Sequence, residues 1–206
     1  MNASHSTVFL LDDEPGMLKA LARLLKAEGF TVQAFTSAKT FLESYRPETL
    51  GCLVLDVAMP ELNGLELQQH LTRSGFLLPI VFLPGHGDIP MSVQAIKAGA
   101  VDFLTKPVKD AALLRAVRAA LQRAVEQRDL ISEIALLRRR YASLTPRESE
   151  VMAHVVAGQL NKQVAGELGI GEHTIKIHRA RVMEKMGVES LADLVRAAER
   201  LGQKPG

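Results

Sequence analysis

Hydrophobic and polar positions alternate in blocks along the first 107 residues, where short β-branched runs are separated by longer stretches of helical periodicity. The short runs predict five strands, at Thr7–Leu11, Thr31–Phe35, Cys52–Leu55, Ile80–Leu83 and Val101–Leu104. The longer stretches predict amphipathic helices, at Pro15–Glu28, Ser37–Ser44, Leu65–Ser74 and Ile89–Ala98. Strands that alternate with helices form a parallel sheet covered on both faces, and chemistry in such sheets collects beyond the carboxyl ends of the strands.

Apolar positions then recur at helical spacing from about Asp110 to Arg140, with arginines between them and no interrupting Pro or Gly. We therefore predict one long helix, or two helices that break near Gln127–Asp129. The apolar stripe of this segment needs a partner, and the pattern leaves open whether that is the first domain, the C-terminal domain or a second copy of the chain.

The remainder of the chain is helical in pattern and is punctuated by glycines. Its start is a strong helix signal, because Thr145 can cap, Pro146 suits the first helical position and Glu148 completes a capping box. We predict four helices, near residues 146–157, 161–168, 172–186 and 190–201. The middle two are joined by a short turn and have helix-turn-helix proportions. On the second of them, a common stripe is predicted to face the core, formed by Ile175, Val182 and Met186.

Composition narrows the class of protein. A chain of 206 residues is long enough for two domains, and 47% hydrophobic with 23% charged residues is ordinary for a globular protein. No run approaches the roughly 18 apolar residues that predict a membrane span. The single cysteine, Cys52, lies in an apolar run, cannot form an internal disulfide and is predicted to be buried. We therefore expect a cytoplasmic protein without a membrane partner.

Charge divides unevenly along the chain. Residues 1–110 carry nine Lys/Arg against twelve Asp/Glu, a net charge of −3. Residues 111–140 carry seven against three, a net charge of +4, and residues 141–206 carry nine against eight, a net charge of +1. An acidic front half followed by a basic middle is compatible with nucleic-acid binding but does not establish it.

Carboxylates cluster where predicted strands end. Asp12 and Asp13 follow the first strand, Asp56 follows the third, and these strands are expected to be neighbours. Carboxylates this close repel each other unless a cation joins them, and a hard ion such as Mg²⁺ suits an all-oxygen site. Lys106 ends the fifth strand and would bring a positive charge to the same edge.

The segments LLDDEP, LVLDVAMPELNG and DFLTKP resemble the three signatures of response-regulator receiver domains, in the right order, over roughly residues 6–125. The resemblance implies that Asp56 accepts a phosphoryl group from the phosphohistidine of a sensor kinase. It also implies that Asp12, Asp13, Asp56 and the backbone carbonyl of Ala58 bind Mg²⁺, and that Lys106 pairs with the phosphoryl oxygens.

The same resemblance implies a conformational switch, with one departure. Phe103 would occupy the rotating aromatic position, and Pro107 would follow a cis peptide bond. The family normally has Thr or Ser at the end of the fourth strand, where its hydroxyl contacts the phosphoryl group, but this chain has Pro84. Proline has neither a hydroxyl nor an N–H, so we expect weakened or rerouted coupling between phosphorylation and the switch.

The segment from LTPRESEVM to HRARVMEKMGV resembles the LuxR-type DNA-binding domain of the NarL/FixJ subfamily, and the whole architecture is similar to the FixJ/StyR kind of regulator. The resemblance implies major-groove contacts from Lys176, Ile177 and Ala180. It implies phosphate contacts from Thr174, His178, Arg179 and Lys162, and Arg181 belongs to the same predicted surface. Gly171 replaces the usual Ser or Thr cap of this helix, which should weaken its start by only a few tenths of a kcal/mol.

We therefore predict an α/β plus all-α protein with a flavodoxin-like (βα)5 receiver domain at residues 1–123, a helical linker at 124–143 and a four-helix DNA-binding domain at 144–206. The expected function is phosphorylation-dependent transcription regulation, not enzyme catalysis. The expected partners are a sensor histidine kinase, double-stranded promoter DNA, RNA polymerase and a second copy in a homodimer.

Two alternatives stay open. The nearer one is a constitutive DNA-binding regulator whose receiver is degenerate or uncoupled, which Pro84 supports. The remote one is a Mg²⁺-dependent phosphatase on a similar fold, which would need an acid/base residue two positions after the nucleophile, where this chain has Ala58.

Overall fold

The first part of the molecule is a five-stranded parallel sheet with helices on both faces. The computed structural model describes residues 6–60, 62–85 and 89–202. The strands run in the order β2-β1-β3-β4-β5, with β1 at Thr7–Leu11, β2 at Thr31–Phe35, β3 at Gly51–Leu55, β4 at Ile80–Phe82 and β5 at Asp102–Phe103. The alternating helices are α1 at Pro15–Ala27, α2 at Ala38–Ser44, α3 at Gly64–Arg73 and α4 at Ile89–Lys97. The predicted doubly wound α/β fold is confirmed.

The sheet register places the carboxyl ends of β1 and β3 side by side. Leu11 pairs with Leu55, so the residues that follow these two strands emerge next to each other. At the other end of β3, only glycine fits as the first residue, because a Cβ on Gly51 would lie 2.2 Å from the Thr7 carbonyl oxygen. Gly51 pairs with Thr7, so β3 begins one residue before the predicted Cys52.

The last two strands are shorter than their hydrophobic patterns predict. Leu83, Val101 and Leu104 lie just outside the strand bounds, although Leu83 N–H still donates to the Leu55 carbonyl and Leu104 N–H to the Phe82 carbonyl. The apolar runs therefore predict the backbone pairing of both strands and the burial of β4, whereas β5 and its flanking residues Val101 and Leu104 are only half-buried. They overestimate where regular strand geometry ends.

Alternate residues along each central strand pack into two separate cores, one on each face of the sheet. On β1, Phe9 and Leu11 belong to the first core, whereas Val8 and Leu10 belong to the second. The second core also contains Cys52, which is buried as predicted, and the inner face of the following long helix.

That helix, α5, runs without interruption from Asp110 to Ala142, so the predicted possibility of a break near Gln127–Asp129 is not realised. The chain divides into two compact units, residues 1–128 and 129–206, and α5 contributes to both. The predicted domain limits remain a prediction. The predicted boundary between residues 123 and 124 falls inside the continuous helix α5.

The second unit packs four further helices around its own core. They are α6 at Pro146–Val156, α7 at Asn161–Leu168, α8 at Glu172–Met186 and α9 at Leu191–Arg200. The predicted capping box starts α6, because the Thr145 side chain accepts from the Glu148 N–H while the Glu148 carboxylate accepts from the Thr145 N–H. The predicted inner stripe of α8 is buried, with Ile175, Val182 and Met186 in the core. Among the described residues, no helix combines the length and the apolar character that crossing a bilayer requires.

Candidate functional site

Three carboxylates meet at the carboxyl edge of the sheet, as the positions of the strand ends predict. Asp12 and Asp13 follow β1 and Asp56 follows β3, and one carboxylate oxygen from each lies within 4.8 Å of the others. Asp12 and Asp56 are only 3% and 6% exposed, whereas Asp13 is open to solvent. The cluster therefore has two buried carboxylates and one carboxylate that solvent can reach.

Lys106 bridges the two buried carboxylates. Its Nζ donates to Asp12 Oδ2 at 2.6 Å and to Asp56 Oδ2 at 2.7 Å. Burial alone would lower the pKa of Lys106, but the hydrogen bonds and negative charges of the two aspartates outweigh it, and the pKa is raised. Lys106 is thus a fixed cation, and the structure places it where the sequence predicts.

Backbone N–H groups hold the remaining carboxylate oxygens. Asp12 Oδ1 accepts from the Glu14 N–H at 2.9 Å, and Asp56 Oδ1 accepts from the Ala58 N–H at 3.3 Å. The start of α3 packs closely against the Asp56 backbone, where a Cβ on Gly64 would lie 2.4 Å from the Asp56 carbonyl oxygen. The donor set consists of hard oxygens that converge on one accessible point, which fits Mg²⁺.

Of the two predicted switch positions, Phe103 lies on β5 and Pro84 lies two residues beyond the end of β4. Pro84 is buried, and its carbonyl accepts from the Lys106 N–H at 2.9 Å. Lys106 precedes a cis peptide bond to Pro107. Phe103 is half-buried against Phe82, with ring centroids 6.1 Å apart. Pro84 therefore contributes a backbone acceptor to this edge of the sheet and no side-chain hydrogen bond.

A second candidate surface lies on α8, opposite its buried stripe. The predicted base-contacting residues Lys176, Ile177 and Ala180 are all exposed, and Ile177 is 41% exposed although it is apolar. The rest of the predicted surface is exposed at Thr174, Arg181 and Lys162, and half-buried at His178 and Arg179. An apolar tip surrounded by cations suits contact with base edges and phosphates.

Several residues of this surface make contacts within the second unit. Arg179 donates to Asn161 Oδ1 at 3.2 Å, which ties α8 to the start of α7. Lys176 lies 3.8 Å from Glu172 on the same exposed face. His178 Nδ1 is buried and, among the described residues, has no hydrogen-bond partner. As predicted, Gly171 precedes the first residue of α8, Glu172, and provides no side-chain cap.

The sequence did not reveal a part-buried ion pair between α6 and α8. Lys185 Nζ donates to Glu148 Oε2 at 2.6 Å, and the Glu148 carboxylate is almost completely buried. Hydrogen bonds from Lys185 and from the Thr145 backbone lower the pKa of Glu148 to about 2. The capping box identified Glu148, but its distant partner could not be read from local spacing.

Two family models match this chain. The response regulator receiver domain matches residues 8–118, and the luxR family of bacterial regulatory proteins matches residues 142–198. The two matched ranges correspond to the part that carries the carboxylates and the part that carries α8.

Relatives resemble the chain over nearly its whole length. Response regulator protein TodT of Pseudomonas putida is 48% identical, over 98% of this chain and 88% of its own. The transcriptional regulatory protein FixJ of Azorhizobium caulinodans is 43% identical, over 96% of this chain and 94% of its own. A low-resolution structure of the response regulator StyR has 47% identity and a TM-score of 0.83, and covers 95% of this chain and 99% of its own.

Proposed function

Because the chain belongs to the FixJ-type response regulators, which join a receiver domain to a LuxR-type DNA-binding domain, we propose that phosphorylation of Asp56 controls its binding to promoter DNA. The observation that carries this proposal is the convergence of Asp12, Asp13 and Asp56 around Lys106. The relatives are transcriptional regulators, so the chain is a regulator of this family and not a phosphatase.

In the proposed transfer, an Asp56 carboxylate oxygen forms a bond to phosphorus as the P–N bond to the kinase histidine breaks. Backbone donation from the Ala58 N–H orients the Asp56 carboxylate, and Lys106 Nζ lies close enough to move from Asp56 Oδ2 to a phosphoryl oxygen. Because Lys106 also contacts Asp12, it would stay anchored at the site while one of its hydrogen bonds changes partner.

The bound metal would be held by Asp12, Asp13, Asp56 and the backbone carbonyl of Ala58. When bound, Mg²⁺ would offset negative charge on the transferring phosphoryl group, the main help that such transfers need. The exposed carboxylate of Asp13 would let the ion enter, while the buried carboxylates would set its position.

We further propose that the phosphorylated receiver forms a homodimer through α4. This helix exposes three large apolar side chains on one face, Ile89, Val93 and Ile96, of which Ile89 is 79% exposed. An exposed apolar stripe indicates an interaction surface, and two copies related by a two-fold axis would bury the same stripe against each other. Val93→Glu should leave phosphorylation intact and prevent dimerisation, which sedimentation of the phosphorylated protein would measure.

The dimer would place two copies of α8 on half-sites about one turn of DNA apart. Lys176, Ile177 and Ala180 would face base edges, while Lys162, Thr174, His178, Arg179 and Arg181 would contact phosphates or the groove rim. Regulation of promoters would bring the bound protein next to RNA polymerase in the cytoplasm.

The decisive experiment is incubation of the full chain with Mg²⁺ and acetyl phosphate, followed by intact mass and DNA-binding measurements. The wild type should gain one phosphoryl group and bind DNA more tightly, whereas Asp56→Asn should do neither. Asp110→Asn is the matched control, because Asp110 is an exposed aspartate outside the site. A phosphoryl adduct of normal yield on Asp56→Asn would contradict the assignment of Asp56.

A second candidate function is constitutive DNA binding with an uncoupled receiver, and Pro84 is the observation that favours it. A phosphoryl group on Asp56 would have no hydroxyl to contact after β4. Pro84 offers only its backbone carbonyl, which already accepts from the Lys106 N–H. Pro84→Thr should therefore increase phosphorylation-induced dimerisation and DNA affinity. If the wild type accepts a phosphoryl group while its DNA affinity stays unchanged, and Pro84→Thr restores the response, the receiver is chemically active but uncoupled.

A further inference from the structure

A cavity of about 170 Å³ lies in the receiver at the edge of the sheet opposite the carboxylates. It opens between the ends of α3 and α4 and the receiver part of α5, near the start of β4. Its apolar wall includes Leu71, Phe76, Leu78 and Ile80. This end of the sheet takes no part in the function proposed above.

Two amide oxygens in the cavity lining are buried and have no hydrogen-bond partner among the described residues, Gln68 Oε1 and Gln127 Oε1. Gln68 is only 3% exposed, and its orientation is fixed because Nε2 donates to the carbonyls of Ala95 at 3.3 Å and Ala98 at 3.2 Å. Its Oε1 therefore remains an acceptor without a donor. Buried acceptors of this kind are strongly favoured to find a donor, which no described side chain supplies.

We propose that this cavity binds a small uncharged molecule that carries an amide N–H₂ group on a compact apolar body. The amide hydrogens would satisfy Gln68 Oε1 and Gln127 Oε1, and the amide carbonyl would accept from Arg123, which also lines the cavity. The positive charge of Arg123 disfavours an ammonium or guanidinium ligand, because like charges repel at short range. The apolar wall selects an aromatic or branched aliphatic body over a strongly hydrated one.

Such a ligand would connect α5 to the rest of the receiver. Arg123 and Gln127 lie in the last turns of α5 before residue 128, where the first compact unit ends. Gln68 lies on α3 and already holds the end of α4. A molecule bound between them would stabilise the end of the receiver next to the linker, independently of the phosphorylation site.

The probe for this site is benzamide, titrated into the isotope-labelled full chain and followed by amide chemical shifts and by thermal unfolding. We expect saturable shifts around Gln68, Phe76, Ala98 and Gln127, with a Kd of about 1 mM, which suits a ligand of this size. Toluene, which has the same ring but no donor, should bind about tenfold more weakly or not at all.

Gln127→Leu removes one acceptor and keeps the size of the side chain, so it should weaken benzamide binding about tenfold while leaving Asp56 phosphorylation unchanged. Gln122→Leu is the matched control, because Gln122 is exposed on the same helix and contacts Glu126 outside the cavity. The proposal is overturned if benzamide causes no saturable shifts around the cavity. Equal binding of toluene, or unchanged binding by Gln127→Leu, would overturn its polar recognition.

Discussion

The carboxylate site of the receiver and the DNA-binding surface of α8 place their functional groups in opposite ways. The receiver buries Asp12 and Asp56 and satisfies each with Lys106 and a backbone N–H. The α8 surface exposes Lys176 and Ile177, and buries only the opposite face of the helix. The carboxylate site depends on hydrogen bonds that its own charged residues make to one another. The DNA-binding surface depends on the packing of the opposite, buried face of α8.

This difference predicts how each site responds to substitution. At a buried charged site, loss of one partner leaves the other uncompensated, so stability and function fall together. On an exposed surface, a side chain can be removed with little effect on folding, so binding and stability separate.

Lys106→Met should have the largest effect, because it leaves Asp12 and Asp56 buried without their cation. We expect a loss of about 4 kcal/mol in the free energy of unfolding of the receiver without Mg²⁺, and a smaller loss when Mg²⁺ is added. Denaturant titration with and without Mg²⁺ measures both values. Lys109→Met is the control, since Lys109 is exposed, and equal Mg²⁺ responses of Lys106→Met and the wild type would contradict the prediction.

The neighbouring isoleucines of α8 provide a matched pair within the second unit. Ile175 is completely buried, so Ile175→Ala should lower the free energy of unfolding by about 3 kcal/mol. Ile177→Ala should change it by no more than about 0.5 kcal/mol and should instead weaken DNA binding. Chemical denaturation and a DNA titration on the same two proteins decide the matter. Similar destabilisation by both variants would remove the contrast.

Lys176→Ala should weaken DNA binding by about 2 kcal/mol without destabilising the domain. Lys176 is exposed, and among the described residues its one ion-pair partner is Glu172, at 3.8 Å. If Lys176 reads a base, the loss should be larger for the cognate operator than for unrelated DNA. A uniform loss, with a shallower dependence of affinity on salt, would assign Lys176 to a phosphate instead.

Acid should affect the second unit through Glu148. Its pKa of about 2 lies below the ordinary value of 4.5, so its contribution to stability is fully present above pH 4.5 and is lost as the pH falls toward 2. Glu148→Gln should flatten this part of the stability profile, measured by amide exchange of α6 and α8 between pH 5 and pH 2. Glu150→Gln, at an exposed position on the same helix, should leave the profile unchanged.

Gly171→Ser should have the smallest effect, a gain of a few tenths of a kcal/mol in the stability of α8. Gly171 has φ −64° and ψ 144°, which any residue adopts, and a Cβ there would meet only Thr174 Oγ1 at 3.8 Å. Thermal unfolding of the two proteins measures the gain. A clear loss of stability would contradict the prediction, because it would show that position 171 does not tolerate a side chain.

Much of the receiver could be predicted from sequence because period-two burial and strand ends are local signals. Leu11 and Leu55 end hydrophobic runs, so the aspartates that follow them were expected at one edge. The bridge from Lys106 to both Asp12 and Asp56 was not predictable in detail, because it depends on how β5 is positioned relative to β1 and β3.

Long-range pairings of polar residues were the main part that sequence could not supply. Nothing local shows that Glu148 pairs with Lys185, although each residue lies on a correctly predicted helix. Similarly, Gln68 resembles a surface residue, yet it is buried because it donates to carbonyls at the end of α4. Helical periodicity predicts which side of a helix is buried, but not which polar group meets it there.

The bridge made by Lys106 also bears on how the protein is synthesised. Lys106 contacts Asp12 and Asp56 across 94 and 50 residues of chain, so a ribosome releases the aspartates long before their cation. The site is incomplete until β5 has joined the sheet, and domains of this kind fold as units during synthesis. If the proposed function holds, a nascent or partly folded receiver cannot accept a phosphoryl group from its kinase. Readiness to accept a phosphoryl group would therefore report that the chain has been synthesised at least through Lys106 and that β5 has joined the sheet.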